Sequence, residues 1–301
     1  MDKKRRKLLG ILTFSPFLLY ARNLNFIQNK TIPHTRLQYS VNAYSFNSML
    51  RNGEMTFFDM MEFAAGIGLD AVDLTGYYFP SYPKPPSDNE LFKLKRKALE
   101  LGLNISWTGI RNDFVNPNAE SRKADREMIR QWLSVSSKLG ASIMRIFSGK
   151  HDHEGYTRSE VKDWLVDEFR TCSRYAEETG VLLGLQHHND FLFRSDEIID
   201  ILKRIDSEWF GLILDIGSLH AEDPYHEIQK LAPFANYWFI KEYVYPAGNK
   251  TPVDMKKIAT ILKNEGYQGY ISFESLSDGN PKKVISSMFD SFRNAFEWPS
   301  G

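Results

Sequence analysis

Eight apolar segments recur along this chain of 301 residues, and each is followed by a stretch of helical periodicity. They begin near residues 37, 69, 103, 143, 181, 210, 237 and 270. Leu37–Tyr44 reads as the first strand, and Thr56–Ile67 as a helix with apolar residues at Phe57, Met60, Met61, Ala64 and Ala65. The pattern continues through strands at Leu69–Leu74, Leu103–Trp107, Ile143–Phe147, Val181–His188, Phe210–Asp215, Tyr237–Glu242 and Tyr270–Glu274, with helical segments between them. Strands separated by helices run parallel. Eight such units in about 260 residues is the size of a closed barrel. A doubly wound open sheet carries fewer units and often opens on a glycine-rich phosphate loop, and neither GxGxxG nor a P-loop occurs here. The expected fold is therefore α/β, a single-domain (β/α)₈ TIM barrel over residues 37–297.

The amino terminus stands outside that pattern. Lys3–Lys7 is a basic run, and Leu8–Tyr20 is apolar but shorter than the ~20 residues that span a bilayer. A basic region followed by a short apolar one reads as an export signal, and Arg5-Arg6-Lys7-Leu8-Leu9 also resembles a twin-arginine signal. Residues 1–30 are thus expected to be an export signal or a hydrophobic anchor, and the mature protein to be periplasmic. A plain basic tail on a cytoplasmic protein is the competing reading. Contact with a membrane is expected only through this segment.

Lys plus Arg and Asp plus Glu number 38 each, so no net positive charge exists to hold a phosphate backbone, and nucleic acid is not an expected partner. The single cysteine, Cys172, cannot form an internal disulfide.

The informative stretch is Val181–Asp190, VLLGLQHHND. It begins as a buried strand and ends in five residues, Gln186 to Asp190, that hydrogen-bond or ligate metal. Barrels of this class carry their sites at the carboxyl ends of the strands. Side chains alternate along a strand, so Gly184, Gln186 and His188 share one face and His187 points the other way, into the helix layer. Other strands end in the same manner, at Asp73, Arg145, Asp215, Lys241/Glu242 and Glu274. Charge at the end of a buried strand is costly unless it is paired, bound to metal or solvated in a cleft. Six such endings around one rim suggest a site. Singly, Asp73 also reads as a turn cap, and Arg145 as a structural partner of Asp73 or Asp113. His220 lies close enough after Asp215 to reach the rim. His151 and His153, in HDHEG, resemble a metal tract but lack a third ligand nearby, and read as solvated loop residues.

Over 37–297 the chain resembles the xylose-isomerase-like TIM-barrel superfamily, which contains sugar phosphate isomerases and epimerases. The resemblance rests on LGLQHHND, GLILDIGS, FIKEY and GYISFE, in that order. Metal-dependent members carry a glutamate on the fifth strand, an aspartate on the sixth, a histidine in a His-x-Lys-Asp segment on the seventh and a glutamate on the eighth. Asp215 and Glu274 match the sixth and eighth. Gln186 replaces the fifth-strand glutamate, with His188 matching the motif's histidine, as in a subgroup with Gln-x-His in place of Glu-x-His. Phe239 replaces the seventh-strand histidine, with Lys241 kept and Glu242 in place of aspartate. The resemblance implies a ligand set of Asp215, Glu274 and Gln186 holding Mg²⁺ or Mn²⁺ weakly, or no metal at all, because an amide oxygen is a poorer ligand than carboxylate for a hard ion.

The expected activity is proton transfer α to the carbonyl of a keto or aldo sugar, by an isomerase or epimerase. Glu274 is the expected base, Lys241 and His188 polarise the carbonyl, and Asp215 is a second acid/base or a metal ligand. Gln186, Arg145, Asp73 and Glu242 are expected to bind substrate. A lyase acting on a 3-keto-glycoside and a non-catalytic sugar-binding barrel are the alternatives. A small-molecule sugar is the expected partner, with homo-oligomerisation left open.

Overall fold

The computed structural model describes residues 36–150, 153–188 and 190–297. The expected export segment and His151 lie outside them. Eight parallel strands close a barrel: β1 (Leu37–Val41), β2 (Ala71–Thr75), β3 (Asn104–Gly109), β4 (Ile143–Ile146), β5 (Leu182–Gln186), β6 (Phe210–Asp215), β8 (Ala235–Lys241) and β11 (Gly269–Glu274). Each neighbours the next in sequence, and β1 pairs with β11 to close the ring. The expected (β/α)₈ architecture is the observed one, with strand ends displaced by a few residues. The first expected strand stops at Val41, and Ala43–Phe46 turns into a 3-10 helix.

The periodic segments do become the helices. Ala119–Leu139 buries Ile129, Trp132 and Leu133 and ends at Gly140, whose φ of +82° suits only glycine without strain. Arg158–Thr179 starts from a capping box, Thr157 with Glu160, and ends at Gly180. Between these two helices, buried Glu168 accepts from Arg122 (3.0 Å) and pairs with Arg126. Among the described residues no helix is long and apolar enough to cross a membrane.

Sequence alternation does not foresee a small sheet of β7 (His220–Ala221), β9 (Tyr243–Pro246) and β10 (Thr251–Pro252), in the order β10-β9-β7. These strands are too short to show a period. They stand beside the exits of β6 and β8. His220 stacks on Tyr245 there at 4.6 Å and does not line the cavity described below.

Two bulges decide what faces the barrel axis. β3 carries one extra residue against β2, since Val72 pairs with Ile105 and Asp73 with Trp107. β8 carries one against β6, where Leu212 pairs with Ala235 and Ile213 with Tyr237; the Asn236 side chain accepts from Leu212 N–H at 3.1 Å and fills the break. The axis is consequently packed by Trp107, Ile143, Ile213, Tyr237 and Phe239. Below them, Tyr237 Oη meets Ser106 Oγ at 3.0 Å, and Ser106 meets Ser40 at 2.9 Å.

Gly184 sits in this inner layer. A Cβ there would lie 2.8 Å from Ile213 and 2.9 Å from Ile143. Gly184→Ala should destabilise by about 1–3 kcal/mol through overpacking, and Ile213→Val in the same chain should recover part of the loss. Urea midpoints of the three proteins check this; an unchanged Gly184→Ala midpoint refutes it.

His187 points away from the axis, as alternation requires, and is fully buried. Its Nε2 accepts from Asp215 N–H at 3.1 Å, which fastens the end of β5 to the end of β6 and needs a neutral ring. Burial lowers its pKa to about 4, with nearby Lys241 also opposing the charge and Asp215 favouring it. Unfolding returns it to the ordinary value of 6.5. The stability this ring supplies is therefore complete above about pH 6.5 and lost as pH falls toward 4, by up to roughly 3 kcal/mol. His187→Gln should flatten the wild-type decline in urea midpoint over that window. Parallel declines would refute the assignment.

Candidate active site

At the carboxyl end of the barrel opens a cavity of about 850 Å³. The strand endings meet there in one hydrogen-bonded arc. Arg145 Nη1, from β4, donates to Gln186 Oε1 on β5 at 3.2 Å. Gln186 Nε2 donates to Asp215 Oδ2 on β6 at 2.8 Å. Lys241 Nζ, from β8, lies 3.3 Å from the same oxygen and donates to Glu274 Oε1 on β11 at 2.5 Å. Glu274 Oε2 accepts from Asn42 Nδ2, just beyond β1. Six neighbouring strand ends are thereby joined through side chains that are all at least nine-tenths buried.

The ion pairs set the protonation states. Burial works against charge on Asp215, yet Lys241 beside it holds its carboxyl well below the usual range. Burial likewise opposes the charge on Lys241, and Asp215 and Glu274 outweigh it, raising the ammonium's pKa. Asp215 is thus a fixed anion. It does not line the cavity, and it is not placed to exchange protons with a substrate. Asp215 and Glu274, the expected acid/base pair, do not face each other across the mouth. They stand one strand apart on the same side, with Lys241 between them.

Glu274, Gln186, Arg145 and His188 do line the cavity. His188 lies 3.4 Å from Ser218 Oγ and 3.8 Å from Asp215 Oδ2 through Nδ1. Arg145 rests on aromatic faces, its Cζ 4.2 Å from the Phe147 ring centre, 5.2 Å from Trp107 and 5.7 Å from Tyr77. Its Nε and Nη2 have no hydrogen-bond partner among the described residues. Arg145 pairs with neither Asp73 nor Asp113 among the ion pairs described. It fits only because β3 has Gly109 opposite; a Cβ there would lie 2.7 Å from Arg145 Nε.

Two residues expected at the substrate are placed elsewhere. Asp73 is fully buried and accepts from Ala43 N–H (3.0 Å) and Thr75 Oγ1 (2.9 Å), tying the exits of β1 and β2 together. Burial drives its carboxyl well above the usual range, and Glu274 adds to the rise. Glu242 accepts from Ser275 Oγ (2.9 Å), Leu276 N–H (2.9 Å) and Ser277 Oγ (2.7 Å), so it braces the loop after β11. Lys241 reaches the carboxylates rather than the cavity wall. His153 packs edge-on against Phe191.

Other cavity residues escape a reading of strand endings because they lie on loops. Tyr77 follows β2, with the Arg111 guanidinium 5.0 Å over its ring. Asp113 tucks its carboxylate against Gly149 and accepts from Val115 N–H (3.2 Å) and Lys150 N–H (3.1 Å). Asp190, at the end of the polar stretch after β5, also lines the cavity, and burial pushes its carboxyl up to about 6. Asn42 is the one with a visible cue, a short polar residue directly after a buried strand.

The ligand set implied for Mg²⁺ or Mn²⁺ does not fit a divalent ion in this arrangement. Gln186 turns its amide nitrogen, not its oxygen, toward Asp215, and Lys241 stands between the two carboxylates. Among the described residues no three His, Cys, Asp or Glu side chains come together as a metal would require.

No curated protein sequence matches the chain. Solved structures match its fold. One is the D-psicose 3-epimerase of Clostridium cellulolyticum H10, with a TM-score of 0.71 and 16% identity over 87% of this chain and 100% of that one. Another is the 3-keto-D-glucoside 4-epimerase of E. coli, with a TM-score of 0.68 and 13% identity over 87% and 100%. A third is a probable 3-DHS dehydratase of Bacillus anthracis, with a TM-score of 0.67 and 19% identity over 85% and 99%. At such identities the likeness speaks for the barrel alone. The sequence profile that describes the xylose isomerase-like TIM barrel matches residues 61–295. A closed eight-stranded barrel with its polar strand ends gathered at one mouth thus meets a sequence match over most of its length, and the chain belongs to the xylose isomerase-like TIM barrel family.

Proposed function

We propose that this barrel is an enzyme that transfers a proton α to the carbonyl of a sugar, as an isomerase or epimerase does. The observation that carries the reading is one cavity holding both a buried carboxylate, Glu274, and a buried guanidinium, Arg145, with two uncommitted nitrogens. Removing an α-proton creates an enediolate, which needs a base at carbon and a donor at the developing oxyanion. Glu274 is the base, oriented by Asn42 and Lys241 on its two oxygens. Arg145 and His188 receive the oxyanion. Phe147 and Tyr77 give an apolar wall for the sugar face. Fold relatives include two sugar epimerases, in keeping with this class of chemistry.

Asp190 favours a second outcome from the same intermediate. A carboxyl with its pKa near 6 retains a useful fraction of acid at neutral pH. It protonates either the carbon, giving an epimer, or a departing oxygen β to the carbonyl, giving a lyase on a 3-keto-glycoside. In the second case the C–H electrons form the enol double bond, and its collapse expels the leaving group, which takes the Asp190 proton. A probable 3-DHS dehydratase stands among the fold relatives.

The basic run Lys3–Lys7 followed by apolar Leu8–Tyr20 supports export to the periplasm, and a mature amino terminus beyond Tyr20 in the periplasmic fraction would test it.

Turnover in D₂O should place deuterium on the carbon α to the carbonyl, and Glu274→Gln should slow turnover by about 10³-fold. Full activity in Glu274→Gln, or product without deuterium, defeats the reading. Because Asp190 acts while protonated, kcat/KM should fall as pH rises through about 6, and Asp190→Asn should be slow and lose that limb. An unaltered pH profile in Asp190→Asn removes Asp190 from the reaction.

A further inference from the structure

Position 186 is built for an amide. Its oxygen accepts from Arg145 at 3.2 Å and its nitrogen donates to Asp215 at 2.8 Å. A carboxylate here would set two buried anions against each other and require a cation between them. The amide removes one charge and turns the contact into a hydrogen bond. The buried charges then balance, with Asp215 and Glu274 against Lys241 and Arg145.

The carboxylate oxygens are also occupied. Asp215 Oδ1 accepts from Gly217 N–H at 3.1 Å, and Oδ2 from Gln186, with Lys241 beside it. Glu274 gives Oε1 to Lys241 and Oε2 to Asn42. Phe239 stands where the resemblance places a histidine. It is fully buried against Trp107 (5.3 Å) and Tyr237 (5.7 Å) and offers no lone pair. The lysine belongs to the family motif as well, so the departure lies in Gln186 and Phe239. A divalent ion entering here would have to displace these donors and add two positive charges to a set already neutral and out of water.

We infer that this mouth is a metal-independent form of the family's site. Arg145, at the cavity wall, supplies the positive charge that a divalent ion would otherwise present to the substrate, and Lys241 is the positioning residue that holds Glu274 toward the cavity. The inference rests on the proposed function only in taking this mouth as the working site, and metal binding can be measured without turnover.

The test uses the full-length protein, freed of metal by a chelator and titrated with Mn²⁺ while the free-ion electron paramagnetic resonance signal is followed. Wild type should leave that signal undiminished at stoichiometric metal. Gln186→Glu with Phe239→His, which restores two ligands, should abolish the free-ion signal, and adding Asp215→Ala should bring it back. Stoichiometric Mn²⁺ uptake by wild type that is lost in Asp215→Ala overturns the inference. So does stoichiometric Zn or Mn in the protein as purified, removed by the same substitution. Where α-proton exchange is detected, it should survive chelation undiminished; loss on chelation with recovery on adding Mn²⁺ overturns the inference too. Absence of exchange with every sugar tried would count against the proposed function and leave the titration result standing.

Discussion

Lys241 Nζ lies 2.5 Å from one buried carboxylate and 3.3 Å from another, and the arrangement of the mouth depends on this ammonium. Two anions one strand apart at the end of a closed sheet repel each other strongly where water is excluded. With the lysine between them, Asp215 and Lys241 each gain more than they lose by burial. The pair then becomes a fixed support from which Glu274 presents itself to the cavity. Removing one partner of such a cluster leaves a charge uncompensated, a far larger loss than the net worth of the intact pair.

The arc reaches further than electrostatics. It links the ends of β4, β5, β6, β8, β11 and, through Asn42, β1, so it acts as a girdle on the side of the barrel where backbone pairing stops. His187 reinforces one seam of that girdle from the helix side through the Asp215 N–H. A site of this kind is held by strand ends rather than loops, which keeps its geometry rigid. Arg145 is the exception in having nitrogens to spare. Aromatic faces carry its plane, so it is positioned without using up its donors.

Most of the fold was legible in the chain. Alternating apolar strands and amphipathic helices leave few solutions, and Ala119–Leu139, Phe210–Asp215 and Pro224–Leu231 begin and end where periodicity, caps and glycines indicate. The candidate site was legible where a polar or charged side chain directly ends a buried strand, as at Arg145, Gln186, Asp215, Lys241 and Glu274. It was not legible on loops. Tyr77, Asp113 and Asp190 reach the cavity through turns that carry no period. Asp73 and Glu242 end strands in the same style as the others, but both turn to neighbouring backbone and hydroxyl groups. No pattern in the chain separates a strand-end carboxylate that faces a cavity from one that braces a loop.

The chain by itself determined the eight barrel strands, their order, and which residue types end them, because period and burial cost act locally. Tertiary structure decided which of those residues meet. The bulges in β3 and β8 set the inward faces, bringing Gly109 beside Arg145 and carrying Lys241 to the axis. Barrel closure then placed Lys241 between two carboxylates far apart in sequence. The orientation of the Gln186 amide followed from those neighbours, since an amide donates or accepts according to what surrounds it. Its sequence position marks a departure from a metal ligand; only the assembled mouth shows that its nitrogen serves Asp215 and its oxygen serves Arg145.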